Sequence, residues 1–151
     1  MAFTPGIRTI NFLAANQLVT SSVVPVNVTG FSFLLGAGKA LEWKVRGLFS
    51  LGATGGFRFL AHNTSAPTTY NFDCTVRDLV TPATLTPATG GVIVEAAFAN
   101  ASAVAGNYQL DASGLVVANL ATTFSFQFAQ NTSDVLSITM LAGMRIELTQ
   151  L

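Results

Sequence analysis

The sequence predicts an all-β chain, an antiparallel β-sandwich of the jelly-roll type, on three observations. Apolar side chains recur at every second residue over most of the 151 residues, whereas the 3.6-residue period of an amphipathic helix is nearly absent. Short segments rich in Gly, Asn, Asp and Ser separate these runs, as turns between strands require. One longer connection, residues 77–91, repeats a T-P-A-T pattern and is expected to be a crossover or surface loop.

The order of elements begins with a segment that alternates weakly. Residues 1–20 are predicted to form an extended N-terminal arm, and residues 21–151 the sandwich domain. About nine or ten short strands follow, for which an eight-stranded jelly roll is the best size match. The apolar positions that define the clearest strands are, in order, Val24, Val26 and Val28; Leu41, Trp43 and Val45; Tyr70, Phe72, Cys74 and Val76; Val92, Val94, Ala96 and Phe98; Tyr108, Leu110 and Ala112; Phe124, Phe126 and Phe128; Leu136, Ile138 and Met140; Met144, Ile146 and Leu148.

Several strands are apolar on both phases, although a two-layer sandwich buries only one face of each strand. Leu48 adjoins Phe49, and Phe59 adjoins Leu60. One explanation is local, because bulges shift the phase and apolar atoms make up much of any protein surface. The other is an oligomer interface or contact with a larger assembly, which large exposed apolar patches usually mark.

The composition excludes several classes of function. Charged residues make up 9% of the chain and the formal net charge is zero, so the sequence has no electrostatic footprint for nucleic acid. The uncharged stretch 9–38 is interrupted by Asn, Gln, Ser and Pro, which argues against a membrane span. The N-terminal residues do not resemble a secretion signal. A single cysteine excludes an internal disulfide and is compatible with synthesis in a reducing cytoplasm.

Candidate catalytic residues are few. His62 is the only histidine and has no Cys, His or Asp cluster with metal-ligand spacing around it, so an ordinary surface or interface role is favoured. Cys74 lies on an apolar phase and is expected to be a core thiol. The segment GAGKA at 36–40 lacks the first Gly and the Ser or Thr of a phosphate-binding loop. The sequence thus predicts no enzyme, no metal and no cofactor, although a carboxylate pair assembled from distant strands stays open.

Two long stretches carry a resemblance to a known family. They are LAANQLVTSSVVPVNVTGFSFLLGAGKALEWKVRGLFSLGATGGFRFLAH at residues 13–62 and GLVVANLATTFSFQFAQNTSDVLSITMLAGMRIELTQL at residues 114–151. The chain resembles virion proteins of tailed bacteriophages, whose jelly-roll domains are similar to the trimeric tumour-necrosis-factor and complement-globular folds. Met144 departs from the family, which often has a small residue such as Ser there. Such domains serve as capsid cement or decoration proteins and as fibre or adhesin modules.

Within this resemblance, the lack of a coiled coil or long repeat, which a fibre shaft would need, favours a non-catalytic decoration protein on the outer surface of a phage head. Its expected partners are two further copies of itself, as a homotrimer, and the major capsid protein, with neither nucleic acid nor membrane. The predicted subunit interface consists of Phe124, Phe126, Phe128, Met140, Met144, Ile146 and Leu148. The predicted capsid contact consists of Phe3, Ile7, Ile10 and Phe12.

A second hypothesis places the domain at a tail fibre or tail tip. There it would bind a cell-surface glycan through exposed aromatic side chains, for which the candidates are Trp43, Tyr70 and Tyr108. Trp43 and Tyr70 fall on apolar phases, which weighs against an exposed platform.

Overall fold

A computed structural model describes residues 6, 8–52, 56–80, 84–85, 95–100 and 105–151, with backbone alone for 84–85 and 95–100. These residues form twelve strands and no helix. The strands are β1 Arg8–Phe12, β2 Gln17–Val19, β3 Val26–Leu35, β4 Ala40–Leu51, β5 Phe57–Asn63, β6 Pro67–Asp78, β7 Thr84–Leu85, β8 Glu95–Asn100, β9 Gly106–Ala118, β10 Thr122–Gln130, β11 Ile138–Met140 and β12 Arg145–Gln150. The predicted all-β antiparallel sandwich is confirmed.

The larger sheet has the strand order β1-β12-β4-β9-β6-β7. Its neighbours are all antiparallel, and β9 pairs along most of its length with β4 on one side and β6 on the other. The short strand β11 pairs with β2 and with residues 49–51 of β4. β1 and β2 therefore follow one another along one edge of this sheet, and β12 and β11 lie between them and β4.

The smaller sheet has the order β3-β10-β5-β8. The register of β3 against β10 shifts between Ser125 and Gln127, so β3 bulges at this point. Gly30 lies in the bulge with φ of 80°, a conformation that glycine adopts without strain. Because of the bulge, the buried phase of β3 changes from Val28 to Phe31.

The core lies between the two sheets and is rich in aromatic rings. The Trp43 indole lies 5.6 Å from the ring of Phe72 in the larger sheet. It also lies 5.3 Å from Phe124 and 6.0 Å from Phe126 in the smaller sheet, measured between ring centroids. Aromatic pairs at these distances stabilise beyond the area they bury. Trp43 therefore joins both sheets in one core.

A glycine makes room for the indole. Gly114 of β9 lies directly opposite Trp43 in the ladder with β4. A Cβ atom at Gly114 would lie 2.6 Å from Cζ2 of Trp43 and 2.3 Å from the carbonyl oxygen of Asn71. No side chain other than hydrogen is compatible with this packing.

The predicted N-terminal arm needs correction over the residues that the structure describes. β1 pairs with β12 over five residues, and β2 pairs with β11. Leu13 and Val19 are buried in the core. Residues 8–19 therefore belong to the sandwich, because their backbone completes the edge of the larger sheet.

Two predicted strand ends also differ from the structure. Val24 precedes β3, and Leu136 precedes β11; both are exposed in turns, because local hydrogen bonds hold them outside the ladders. Val92 and Val94 of the predicted strand at 92–98 lie outside the described residues, while its remainder falls in β8. The long connection predicted at residues 77–91 contains the last two residues of β6, Arg77 and Asp78, and the short strand β7, which pairs with β6 at the edge of the larger sheet.

Candidate interaction surfaces

The predicted subunit interface is wrong as to its residues. All seven side chains assigned to it point into the sandwich and are at most 1% exposed: Phe124, Phe126, Phe128, Met140, Met144, Ile146 and Leu148. Side chains this deep in the core of one chain cannot contact a neighbouring chain. Their alternation reflects the ordinary inward phase of β10, β11 and β12, and an interface between copies must use other residues.

The structure describes two of the four residues of the predicted capsid contact. Ile10 and Phe12 lie on the outer face of β1, where they are 41% and 60% exposed. They are thus available for contact, and their role stays a prediction. Phe3 and Ile7 lie outside the described residues.

The aromatic platform of the second hypothesis is not exposed. Trp43, Tyr70 and Tyr108 are each at most 6% exposed. The Tyr70 hydroxyl donates a hydrogen bond of 3.1 Å to the carbonyl oxygen of Ala61, and burial raises the pKa of this phenol above its usual range. These three rings are therefore core residues, and a sugar cannot stack on them.

Cys74 and His62 are the two residues that the sequence offered for chemistry. Cys74 is buried, as predicted. Desolvation by burial, with smaller contributions from the charges of Asp73 and Asp111, raises the pKa of its thiol well above the usual range. His62 is half-buried on the outward phase of β5. Among the described residues, no three His, Cys, Asp or Glu side chains lie together in a way that could hold a metal ion.

The outer face of the larger sheet carries most of its charge in ion pairs, between strands or along β12. Asp111 of β9 accepts a hydrogen bond of 2.8 Å from Nε of Arg46 and lies 3.8 Å from Nζ of Lys44. Glu147 of β12 pairs with Arg8 and, at 3.2 Å, with Arg145. These groups are partly exposed, so each pair contributes little to stability. The two carboxylates offset only part of the charge of the four cations.

A shallow depression of about 550 Å³ lies on this face, above the point where β9 approaches β4 and β6. Charged and polar side chains line it, among them Arg8, Glu42, Lys44, Asn71 and Glu147. Asn71 accepts a hydrogen bond of 2.5 Å from the backbone N–H of Leu115. Arg8, Lys44, Asn71 and Glu147 already have partners within the chain. We therefore interpret the depression as part of the solvated face of the sheet and not as a ligand site.

The strands that are apolar on both phases divide into two groups. In β5 both Phe59 and Leu60 are fully buried, so no surplus surface exists there. Leu34 and Leu48 are instead 62% and 42% exposed. β5 is therefore buried on both of its faces within the chain, without a bulge in its ladders, whereas β3 and β4 each present an outward-facing leucine.

Exposed aliphatic side chains are also concentrated in turns at one end of the sandwich, at residues 22–24, 78–80 and 134–136. Sequence analysis missed them because it assigned Val24 and Leu136 to strands and Leu79 and Val80 to a connection. The signal was present, since each turn has a Ser or Asp followed by two aliphatic residues.

Comparisons with known proteins do not identify the chain. No protein-family model matches it, and no curated protein matches it. Among solved structures it is similar to the VP2 subviral particle of infectious bursal disease virus, with 12% identity over 96% of this chain and 42% of that chain and a TM-score of 0.25. The Gx strain of the same virus gives 12% identity over 96% and 41%, with a TM-score of 0.22. This chain thus spans less than half the length of these proteins, and similarity this distant defines neither its fold nor its function.

The described residues contain no helix long and apolar enough to span a membrane.

Proposed function

We propose that this chain is a non-catalytic structural protein of a virion, a decoration protein that binds the outer surface of a tailed-phage head as a homotrimer. The resemblance of residues 13–62 and 114–151 to virion proteins of tailed phages supports the class. The antiparallel sandwich is the architecture that this resemblance implies.

The observation that carries the proposal is the exposed apolar surface. Fourteen described large hydrophobic residues are at least 36% exposed, Phe12 and Leu34 among them, in a chain with only 9% charged residues. A net charge of zero gives no protection against association. Such a surface is typical of a subunit that is covered when its assembly forms.

The proposed mechanism is additive binding. Each copy contributes apolar contacts and hydrogen bonds across a junction between capsomers, and these contacts stabilise the assembled shell relative to its separated parts. Linking several sites in one trimer raises the effective concentration of the remaining sites after the first has bound. Ile10 and Phe12 are the described residues of the predicted contact.

Two measurements test the proposal. Light scattering behind a sizing column gives the mass in solution, which we expect to be three times the chain mass of 15.8 kDa. Sedimentation with shells assembled from the major capsid protein of the same genome tests binding, and we expect saturable co-sedimentation. The mass of a monomer would contradict the proposed homotrimer, and failure to sediment with the shells would contradict the proposed decoration role.

A matched pair of variants tests the contact on β1. Ile10→Ser/Phe12→Ser removes its exposed apolar side chains, and we expect weaker binding to shells. Leu34→Ser/Leu120→Ser removes two leucines of similar exposure elsewhere and serves as the control. Equal binding by both variants would assign the contact to another surface.

A further inference from the structure

Three turns of the sandwich have the same local design. In the first, the hydroxyl of Ser22 accepts a hydrogen bond of 3.1 Å from the backbone N–H of Val24. In the second, the carboxylate of Asp78 accepts one of 2.8 Å from the N–H of Val80. In the third, the carboxylate of Asp134 accepts one of 2.9 Å from the N–H of Leu136. Each turn is thus closed by its own first side chain and presents the two aliphatic residues that follow.

Backbone hydrogen bonds place the three turns at one end of the sandwich. The N–H of Ser21 donates to the carbonyl oxygen of Asp134, which joins the first turn to the third. The N–H of Gly52, at the end of β4, donates to the carbonyl oxygen of Ser137 beside the third turn. The N–H of Leu79 donates to the carbonyl oxygen of Asn107 in β9, whose neighbour Gly106 pairs with Leu51 of β4. The turns therefore follow the ends of adjacent strands.

A buried glutamine fixes the relative position of two of these turns. The side chain of Gln130, 2% exposed, accepts hydrogen bonds from the N–H groups of Ser22 and Asp134, at 3.0 and 3.1 Å. It donates to the carbonyl oxygens of Asp134 and Leu136. Ser21 has φ of 53°, a conformation that a non-glycine residue keeps only where the surrounding structure holds it. The first and third turns are therefore rigidly spaced.

The aliphatic side chains on these turns are exposed, although hydrogen bonds hold the backbone of each turn in place. The exposed fractions are 42% for Val23, 65% for Val24, 48% for Leu79, 80% for Val80, 79% for Val135 and 52% for Leu136. We call these six residues the aliphatic end. None of the three turns contains a basic residue, and each of the two aspartates accepts a hydrogen bond from its own turn.

We infer that the aliphatic end is a second surface, besides Ile10 and Phe12 of β1, that docks onto the shell, and that its occupant is an apolar depression without acidic groups on the major capsid protein. This inference rests on the proposed function and adds a second docking surface to it. Two features carry it. The only charges in the turns are the carboxylates of Asp78 and Asp134, each of which already accepts a hydrogen bond from its own turn, so an apolar surface without acidic groups is complementary. Their spacing is fixed by internal hydrogen bonds, so little conformational entropy is lost when they are buried.

The same features favour a protein over a lipid bilayer. Surfaces that bind anionic membranes combine apolar residues with Lys or Arg and place Trp or Tyr at the interface. The three turns contain neither, and their aspartates would be repelled by anionic headgroups. Rigid spacing is of value chiefly against a partner of defined shape, and a fluid bilayer has none.

The test compares two triple variants in shell binding. Val24→Ser/Val80→Ser/Val135→Ser removes the most exposed side chain of each turn. Leu34→Ser/Leu120→Ser/Leu151→Ser removes three leucines that are 57–63% exposed and lie away from these turns. We expect the first variant to bind shells at least about tenfold more weakly than the unchanged chain, and the second to bind within about twofold of it. Equal thermal unfolding midpoints show that both variants are folded.

Each other outcome overturns the inference in its own way. If the unchanged chain does not bind shells, the proposed function fails. If it binds and the turn variant binds equally well, the function stands and the docking surface is elsewhere. A turn-dependent change in solution mass would assign the aliphatic end to contact between copies. Turn-dependent binding to vesicles of phosphatidylcholine with 30% phosphatidylglycerol would assign it to a membrane.

Discussion

The core around Gly114 is packed so closely that it has no room for a side chain at this position. The hydrogen that replaces a side chain there lets Trp43 lie across β9 towards Phe72. The sequence predicted an inward phase for this strand up to Ala112 but gave no reason why a glycine follows two residues later. The reason lies on the neighbouring strands, because both close contacts come from residues far away in the sequence.

Gly114→Ala is expected to lower the free energy of unfolding by about 3 kcal/mol. The added methyl group would meet the backbone of Asn71, which cannot move without breaking the pairing of β6 with β9. Urea denaturation measures the effect. Gly36→Ala is the control, since a Cβ there meets only Cγ of Lys39 at 3.6 Å. Equal destabilisation by both substitutions would contradict the packing at Gly114.

The buried thiol of Cys74 makes stability depend on pH in the alkaline range. In the unfolded chain the thiol of Cys74 has its reference pKa of about 8.5, whereas burial keeps this thiol protonated in the folded chain. Between these pKa values the folded state binds more protons, so the free energy of unfolding falls as pH rises, by up to about 1.4 kcal/mol per pH unit. Tyr70, whose pKa is raised by burial, adds to this fall above about pH 10.

The measurement is urea denaturation at pH 7.5, 8.5 and 9.5. We expect Cys74→Ala to be less stable at neutral pH, because it leaves a small cavity, yet to lose less stability between pH 8.5 and 9.5. If the unchanged chain has the same stability at all three pH values, the thiol is not protected by the core.

At the scale of elements, β1 is the clearest difference from the sequence prediction. The weak alternation of residues 1–20 predicted an arm, but the backbone of β1 pairs with β12 from Arg8 to Phe12. Leu13 follows with its side chain buried and its N–H donating to the carbonyl oxygen of Met144 at 2.7 Å. Edge strands are short and variable in pattern, because only one of their two sides is paired.

Deletion of residues 1–15 is therefore expected to destabilise the sandwich by about 3 kcal/mol or more, because it removes the ladder with β12 and the buried side chain of Leu13. Thermal and urea unfolding measure the change. The double variant Ile10→Ser/Phe12→Ser keeps the strand and should stay within about 1 kcal/mol of the unchanged chain. A truncated chain of full stability would restore the interpretation of this segment as an arm.

At the scale of the whole molecule, the two sheets share one core, and Trp43 packs against residues of both sheets. Its ring contacts Phe72 in one sheet and Phe124 and Phe126 in the other. The cluster around Phe49 repeats this arrangement, since Phe49 contacts Phe57 and Phe59 in the smaller sheet and Tyr108 in its own. Neither sheet can lose its packing while the other keeps it.

Unfolding is accordingly expected to be a single cooperative transition. Tryptophan fluorescence reports the environment of Trp43, the only tryptophan, and far-ultraviolet circular dichroism reports the strands of both sheets. The two signals should give the same urea midpoint within error at protein concentrations where the oligomeric state does not change. A fluorescence transition that precedes the loss of circular dichroism would mean that the core opens while one sheet persists.

The sequence by itself determined the class of fold, the inward phase of most strands and the core position of Cys74, because side chains in a strand alternate between two faces and only one face is buried. Phase alone does not say what covers the outer face. It could not show that Phe124 and Met144 are enclosed by their own chain, that residues 8–12 complete a sheet edge, or that three separate turns meet at one end. Those features depend on which strands become neighbours, and strand pairing joins residues far apart in sequence. The tertiary structure decided them, and with them where this protein can touch another molecule.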